Sequence, residues 1–201
     1  MTQPAKIITI AASNSVHSIN KRLLQYAGTV LQSDLRADID IEPLDLMDHE
    51  MPIYSPEREA IGIPQQAHDF YQKIGAADGV MISFAEHNGT YTAAFKNIFD
   101  WTSRIEMQVF QDNPVMLMAA SIGPGGAQHV LATANASFPN FGARLTSSFS
   151  VGLFDTHFDH AANRLTTAQL DSDLRSALRA FKAALRTTGH PAIADVKARS
   201  R

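Results

Sequence analysis

Cysteine is absent from all 201 residues. That removes thiol catalysis, disulfide redox chemistry and cysteine-based zinc sites together. A basic surplus is missing as well: 17 Lys and Arg stand against 20 Asp and Glu, for a formal net charge of −3. Nucleic-acid binders carry a basic excess or a basic stripe, so nucleic acid is not an expected partner. The only basic bias is at Lys197, Arg199 and Arg201, which read as a solvated tail. The acidic excess is too small for a carrier that docks on basic partners by charge. No stretch approaches the roughly 20 apolar residues of a membrane helix. Met1 to Ala5 is polar and leads through Lys6 into a short apolar run, without the ordered regions of a secretory signal. The expectation is a cytoplasmic protein with no membrane insertion.

What is present is regular alternation. A single domain is expected over residues 1–188, with 189–201 as a tail. A domain of that size buries roughly 70% of its unfolded surface and needs no staple. Apolar β-rich runs occupy 6–12, 38–44, 79–84, 114–120 and 145–151. Helical periodicity occupies 19–32, 65–74, 91–104, 128–136 and 167–186, the last with Leu170, Leu174, Leu178, Phe181 and Leu185 on one face. Residues 45–63, punctuated by Pro52, Pro56 and Gly62, read as irregular. Continuous apolar strands separated by amphipathic helices imply an α/β fold: a five-stranded parallel sheet covered on both faces. The common five-strand solution is the doubly wound order 2-1-3-4-5.

In such a sheet ligands bind beyond the carboxyl ends of the strands, where strand order reverses. The loops after strands one, three and four are therefore the informative ones, and all three have unusual composition. The first runs Ser13-Asn14-Ser15-Val16-His17-Ser18-Ile19-Asn20 and opens a helix. Hydroxyls beside the free amides of a helix N-terminus make an anion site, suited to a phosphate monoester. A helix cap at Ser18 would need one such residue, not five. The spacing is neither G-x-G-x-x-G nor G-x-x-x-x-G-K-[ST], which argues against NAD or ATP in this loop. The second loop, Ala85-Glu86-His87-Asn88-Gly89-Thr90-Tyr91, contains an Asn-Gly turn pair, and His87 is placed to stack on a flat ring. The third, Ser121-Ile122-Gly123-Pro124-Gly125-Gly126, lets backbone approach such a ring closely, unless it is only a flexible connector.

The segment from Ala85 to Trp101, AEHNGTYTAAFKNIFDW, closely resembles the signature of the NAD(P)H-dependent FMN reductases. That signature runs Pro-Glu-Tyr-Asn-Gly-Ser-Tyr, then small and apolar residues, Lys-Asn, two further residues and Asp-Trp. The first and third loops agree with the same family, so the resemblance covers most of 6–151. It implies a flavodoxin-like fold, FMN as cofactor and NAD(P)H as co-substrate. It also implies a small-molecule electron acceptor such as free flavin or a quinone, and a homodimer or homotetramer. By resemblance Ser13, Ser15, Ser18, Ile19 and Asn20 hold the FMN phosphate. Ala85, Glu86, His87, Asn88 and Gly89 line the ring, with Tyr91 beside it. Ser121, Gly123, Gly125 and Gly126 border its other edge. The family often has Gly at the position of Ala12 and Arg at that of Ser15. Without that Arg, the charges at hand are His17, Lys21 and Arg22.

No catalytic side chain and no metal are implied, because hydride passes from the nicotinamide to flavin N5 and then on to the acceptor. The backbone of Asn88 and Gly89 is expected near flavin N5 or O4. Two alternatives remain: a non-catalytic flavodoxin-like electron carrier, and a flavin-free binding module. Asp155, His157, Asp159 and His160 read as a polar turn rather than a metal site. Lys96, Asp100 and Arg104 form a charge row at i, i+4, i+8. Trp101 is a packing anchor that the resemblance places at a subunit contact. Met116 and Met118 belong to the core.

Overall fold

The computed structural model describes residues 4–35 and 38–185; the proposed tail, with Lys197, Arg199 and Arg201, lies outside them. Five strands form the central sheet: β1 (Ala5–Ala12), β2 (Ile39–Leu44), β3 (Gly79–Phe84), β4 (Pro114–Ala120) and β5 (Arg144–Val151). Their order is β2-β1-β3-β4-β5, and every pairing is parallel, as expected. β3 and β4 are buried along their whole length, which explains why they read as unbroken apolar runs. Pro43 sits in β2, an edge strand, where a missing ladder donor is tolerated.

Helices cover both faces. On one, α1 (Ile19–Thr29) and α7 (Ala168–Ala184) pack Leu23, Leu24, Leu174, Leu178 and Phe181 against Ile7, Met81, Met116 and Met118. The other carries α3 (Gln65–Gly75), α4 (Ala93–Ile105) and α5 (Gln128–Ser137), which pack Phe70, Phe95, Ile98 and Val130 against Ile8, Ile10, Ile82 and Leu117.

Three departures from the sequence reading have local causes. The helical path after Thr29 widens into a π-helical stretch, Val30–Asp34. The segment expected to be irregular holds a 3₁₀ turn, Leu46–His49, and a short helix, α2 (Pro56–Ile61). Ser55 Oγ accepts from the Arg58 amide, Pro56 opens α2 and Gly62 ends it, a cap-and-stop pattern carried by the sequence itself. Residues 154–157 form the brief helix α6, followed by a hairpin over 158–165 anchored by the buried Phe154 and Phe158.

The Lys-Asn…Asp-Trp part of the long motif holds the 51–59 segment in place. Asn97 Nδ2 donates to the Met51 carbonyl at 3.1 Å, and Asn97 Oδ1 accepts from the Tyr54 amide at 2.9 Å. The Trp101 indole N–H donates to the Pro52 carbonyl at 2.7 Å. Trp101 is buried inside its own chain, which corrects its expected place at a subunit contact. In the charge row Lys96 pairs with Asp100 at 2.7 Å, whereas Arg104 turns to Glu59 of α2.

Candidate functional site

The register fixes where the loops meet. Ala12 lies beside Phe84, and Phe84 beside Ala119, so the three carboxyl-end loops leave from neighbouring strands. Side chains then clasp them together. Thr92, the N-cap of α4, accepts from the Phe95 amide and donates to the Ala12 carbonyl at 3.0 Å. Ser150 Oγ donates to the Gly126 carbonyl, and the Leu153 amide to the Gly123 carbonyl at 2.9 Å, which fixes the third loop on the end of β5.

Within the first loop, Ser13 Oγ accepts from the Ser15 amide at 3.2 Å, and Ser15 Oγ accepts from the His17 amide at 3.3 Å. These consecutive hydroxyl turns satisfy backbone donors and leave each hydroxyl proton free to point elsewhere. Ser18 is the N-cap of α1 by position and is buried, yet its side chain makes no capping bond. The Lys21 and Arg22 amides turn back to the Ser18 carbonyl. Those of Ile19 and Asn20 precede the first intrahelical bond and keep the positive end of the helix dipole open. Lys21 is committed to Asp45, while His17 and Arg22 are exposed near the loop.

Asn20 corrects an expectation. Its side chain is buried and bonds to the protein, not outward to a phosphate. Nδ2 donates to the Ala120 carbonyl at 3.3 Å, while Oδ1 accepts from the Ala120 amide at 3.0 Å and the Ser83 hydroxyl at 2.6 Å. It fastens the first turn of α1 to the ends of β3 and β4.

The second loop is a hairpin, Glu86–His87 paired with Thr90–Tyr91. Asn88 and Gly89 turn it with φ of 52° and 77°. Positive φ at both central residues is the type I′ geometry that Asn-Gly serves best. Two side chains of this hairpin turn into the protein. The Glu86 carboxylate reaches α5, with Oε2 accepting from the Val130 amide at 2.9 Å and Oε1 lying 3.3 Å from His129 Nδ1. A carboxylate at a helix N-terminus is favourable. Tyr91 packs its ring among Phe84, Phe95 and Phe138, and its hydroxyl meets Ser137 Oγ at 3.2 Å. Burial pushes its phenol above the ordinary range. His87 is exposed at the hairpin, and Ala85 is half-buried at its root.

In the third loop Ser121 Oγ donates to the Gly123 carbonyl at 2.9 Å. Gly126 has φ of 60°, and a Cβ there would lie 2.4 Å from Ser150 Oγ. At Gly89, Gly123 and Gly125 a Cβ would meet nothing within 4 Å, so the rims of the second and third loops face open space. Hydroxyls and helix amides at one end and open backbone ledges at the other fit a phosphate joined to a flat ring. Sequence reasoning missed Thr92, Ser83 and Ser150. Ser83 left a signal as the lone polar residue of a wholly buried strand.

Among the described residues no helix is long and apolar enough to cross a membrane, and no three His, Asp or Glu gather as a metal set.

Comparison with known proteins adds the rest. Over 126 residues the chain is 29% identical to the NAD(P)H-dependent FMN reductase of Pseudomonas aeruginosa, covering 63% of this chain and 65% of that one. A 2-hydroxy-1,4-benzoquinone reductase from a Burkholderia species is 32% identical over 123 residues, 60% of this chain and 63% of that one. The match thus spans a little under two thirds of each relative. The flavoenzyme NAD(P)H:acceptor oxidoreductase of Paracoccus denitrificans shares the fold with a TM-score of 0.71 at 20% identity, covering 89% of this chain and 96% of that one. The model of the NADPH-dependent FMN reductase family matches residues 5–155; the chain belongs to that family.

Proposed function

We propose that this chain binds FMN across the three carboxyl-end loops and uses NAD(P)H to reduce a small acceptor of the quinone or flavin class. The observation that carries the reading is the first loop, where three hydroxyls beside the first turn of α1 have no internal use for their protons. Bound FMN supplies the hydride and electron transfer, which no side chain here performs alone.

The chain's own residues bind and orient. Ser13, Ser15, Ser18 and the Ile19 and Asn20 amides hold the phosphate, with His17 and Arg22 as the nearby uncommitted charges. The Asn88–Gly89 turn and the Gly123–Gly126 backbone hold the ring edges. Asn20 and Thr92 keep the loops in register with one another. The quinone reductases among the relatives support a quinone-type acceptor. A homodimer or homotetramer in the cytoplasm goes with this reading, and the apolar Ile53 and Ile61, 76% and 89% exposed, offer contact surface.

Titration of the purified protein with FMN, followed by anaerobic NADH or NADPH oxidation with benzoquinone, tests it. Saturable FMN binding with nucleotide-dependent quinone reduction is expected. Binding without nucleotide oxidation would make the protein an electron carrier, and no binding at micromolar FMN would remove the flavin reading altogether.

A further inference from the structure

Two positions in the sequence place a side-chain carbonyl directly before a glycine: Asp78–Gly79 and Asn88–Gly89. A glycine nitrogen, with no Cβ beside it, can approach the preceding side-chain carbonyl closely. The fold treats the two pairs oppositely. Asp78 Oδ2 accepts from the Lys6 amide at 2.8 Å, and Gly79 opens β3, where a Cβ would lie 2.6 Å from Leu185 Cδ2. Strand and packing hold that pair still.

Asn88 and Gly89 are both exposed, at the tip of the 86–91 hairpin. The Asn88 side-chain amide and the Gly89 N–H meet no hydrogen-bond partner among the described residues. A Cβ on Gly89 would meet nothing within 4 Å, so no neighbour packs against the tip there. The hairpin has only two facing pairs, Glu86 with Tyr91 and His87 with Thr90. A ladder that short is marginal by itself. Its root is anchored, since Glu86 holds the Val130 amide and Tyr91 packs among Phe84, Phe95 and Phe138. The tip can therefore open locally while the rest stays folded, which lets Asn88 and Gly89 leave their φ of 52° and 77°.

We infer that Asn88 is a site of spontaneous modification, at which the Gly89 nitrogen converts the side-chain amide to aspartate or isoaspartate while no ligand covers the turn. The Gly89 nitrogen attacks Asn88 Cγ and a cyclic imide closes. The side-chain nitrogen leaves as ammonia, carrying the proton of the Gly89 N–H. Water then opens the imide at either carbonyl, and no electrons are transferred. Opening at the main-chain carbonyl carries the backbone through the side chain, which inserts a methylene into a turn that needs positive φ at both residues. Either product adds a carboxylate.

The consequence for binding rests on the proposed FMN site, where this turn holds a ring edge. A lengthened backbone and an added negative charge misplace that edge. Bound FMN in turn covers the tip and keeps it closed, so the protein is modified in its empty state and spared in its loaded one. The modification itself needs only the chain and water.

The test incubates the whole FMN-free protein in mildly alkaline buffer and follows its tryptic peptides by mass and fragmentation. Peptide 74–96 carries Asn88 as its only asparagine. It is expected to gain the mass of an amide-to-carboxylate change before the peptides holding Asn14 or Asn163, which are exposed as well. FMN at about a hundredfold above its dissociation constant is expected to slow the change about tenfold or more. Converted protein, separated from intact protein by its extra charge, is expected to bind FMN about tenfold more weakly. Asn14 or Asn163 converting first, an unchanged rate under saturating FMN, or equal FMN affinity in the converted fraction would each overturn the inference. Conversion of peptide 74–96 in a protein that binds no FMN in either form would support the modification site and overturn the proposed function instead.

Discussion

Two polar clusters flank α1 and spend their hydrogen bonds differently. Along the helix, Tyr26 donates to Asp171, Asp171 also holds Arg175 Nε at 2.6 Å, and Arg175 reaches Asp34 at 2.6 Å. Tyr26 lays its ring edge-on to Phe158 at 6.0 Å. The circuit is closed, with each charge answered inside the protein. At the first turn the opposite holds. Ser13 and Ser15 accept from their own loop, Ser18 caps nothing, and no acceptor among the described residues takes their protons. Both clusters are polar and both lie on α1, yet one joins elements and the other keeps donors that no element of the described chain uses, as the proposed phosphate site requires. Polarity alone does not mark a site; unspent hydrogen bonds do.

The largest expected effect lies where the two behaviours meet. Asn20 mounts the open cluster by means of closed bonds, and Asn20→Ala strands the Ala120 amide and carbonyl in a buried place. Unfolding free energy should fall by about 3 kcal/mol, read by urea denaturation. FMN binding should weaken with it, because the loop loses its seat. A variant with full stability would show that Asn20 is not the tie described here.

Next in size is Ser18→Ala. It should weaken FMN binding about tenfold and shift stability by less than about 0.5 kcal/mol, since no cap is lost. Flavin fluorescence and thermal melts separate the two readouts.

Tyr26→Phe should do the reverse, costing about 1 kcal/mol of stability and leaving FMN affinity unchanged. It also has a pH signature. Burial, with the Asp171 carboxylate beside it, pushes the Tyr26 phenol from 10.0 up to about 12. The folded state holds that proton more tightly than the unfolded one. Its contribution is therefore complete below pH 10 and is lost between about pH 10 and 12. Stability measured across that window should decline in the parent and less steeply in Tyr26→Phe.

The smallest effect belongs to Glu86→Gln. The amide oxygen still accepts from Val130, so only the charge at the N-terminus of α5 is lost, about 0.5 kcal/mol. A larger loss of FMN affinity than of stability would mean that the Glu86 side chain, besides holding α5, acts on the ring.

Much of this was legible from the chain alone. The five strands and their order followed from apolar runs such as Val80–Phe84 and Val115–Ala120, because a doubly covered parallel sheet demands them. The first loop was legible through its surplus of hydroxyls, and the Asn88–Gly89 turn through the positive φ that pair allows. The role of Asn20 was not, since its partners lie 63 and 100 residues away. The bond of the Glu86 side chain was hidden for the same reason: its partner amide is 44 residues on, at the start of α5. Short elements such as the hairpin over 158–165 escaped because Phe154 and Phe158 fix them by tertiary burial, not by periodicity. The cap of α2 was legible and overlooked, as Ser55-Pro56 followed by acidic residues announces a helix start.

The most direct test of an anion site at the first turn of α1 compares FMN with riboflavin, which differ only in the phosphate. Equilibrium titration of both against the purified protein should show FMN binding about 100-fold tighter, roughly 2.7 kcal/mol from several charge-assisted hydrogen bonds. Equal affinities would mean that the hydroxyls and amides of residues 13–20 hold no phosphate.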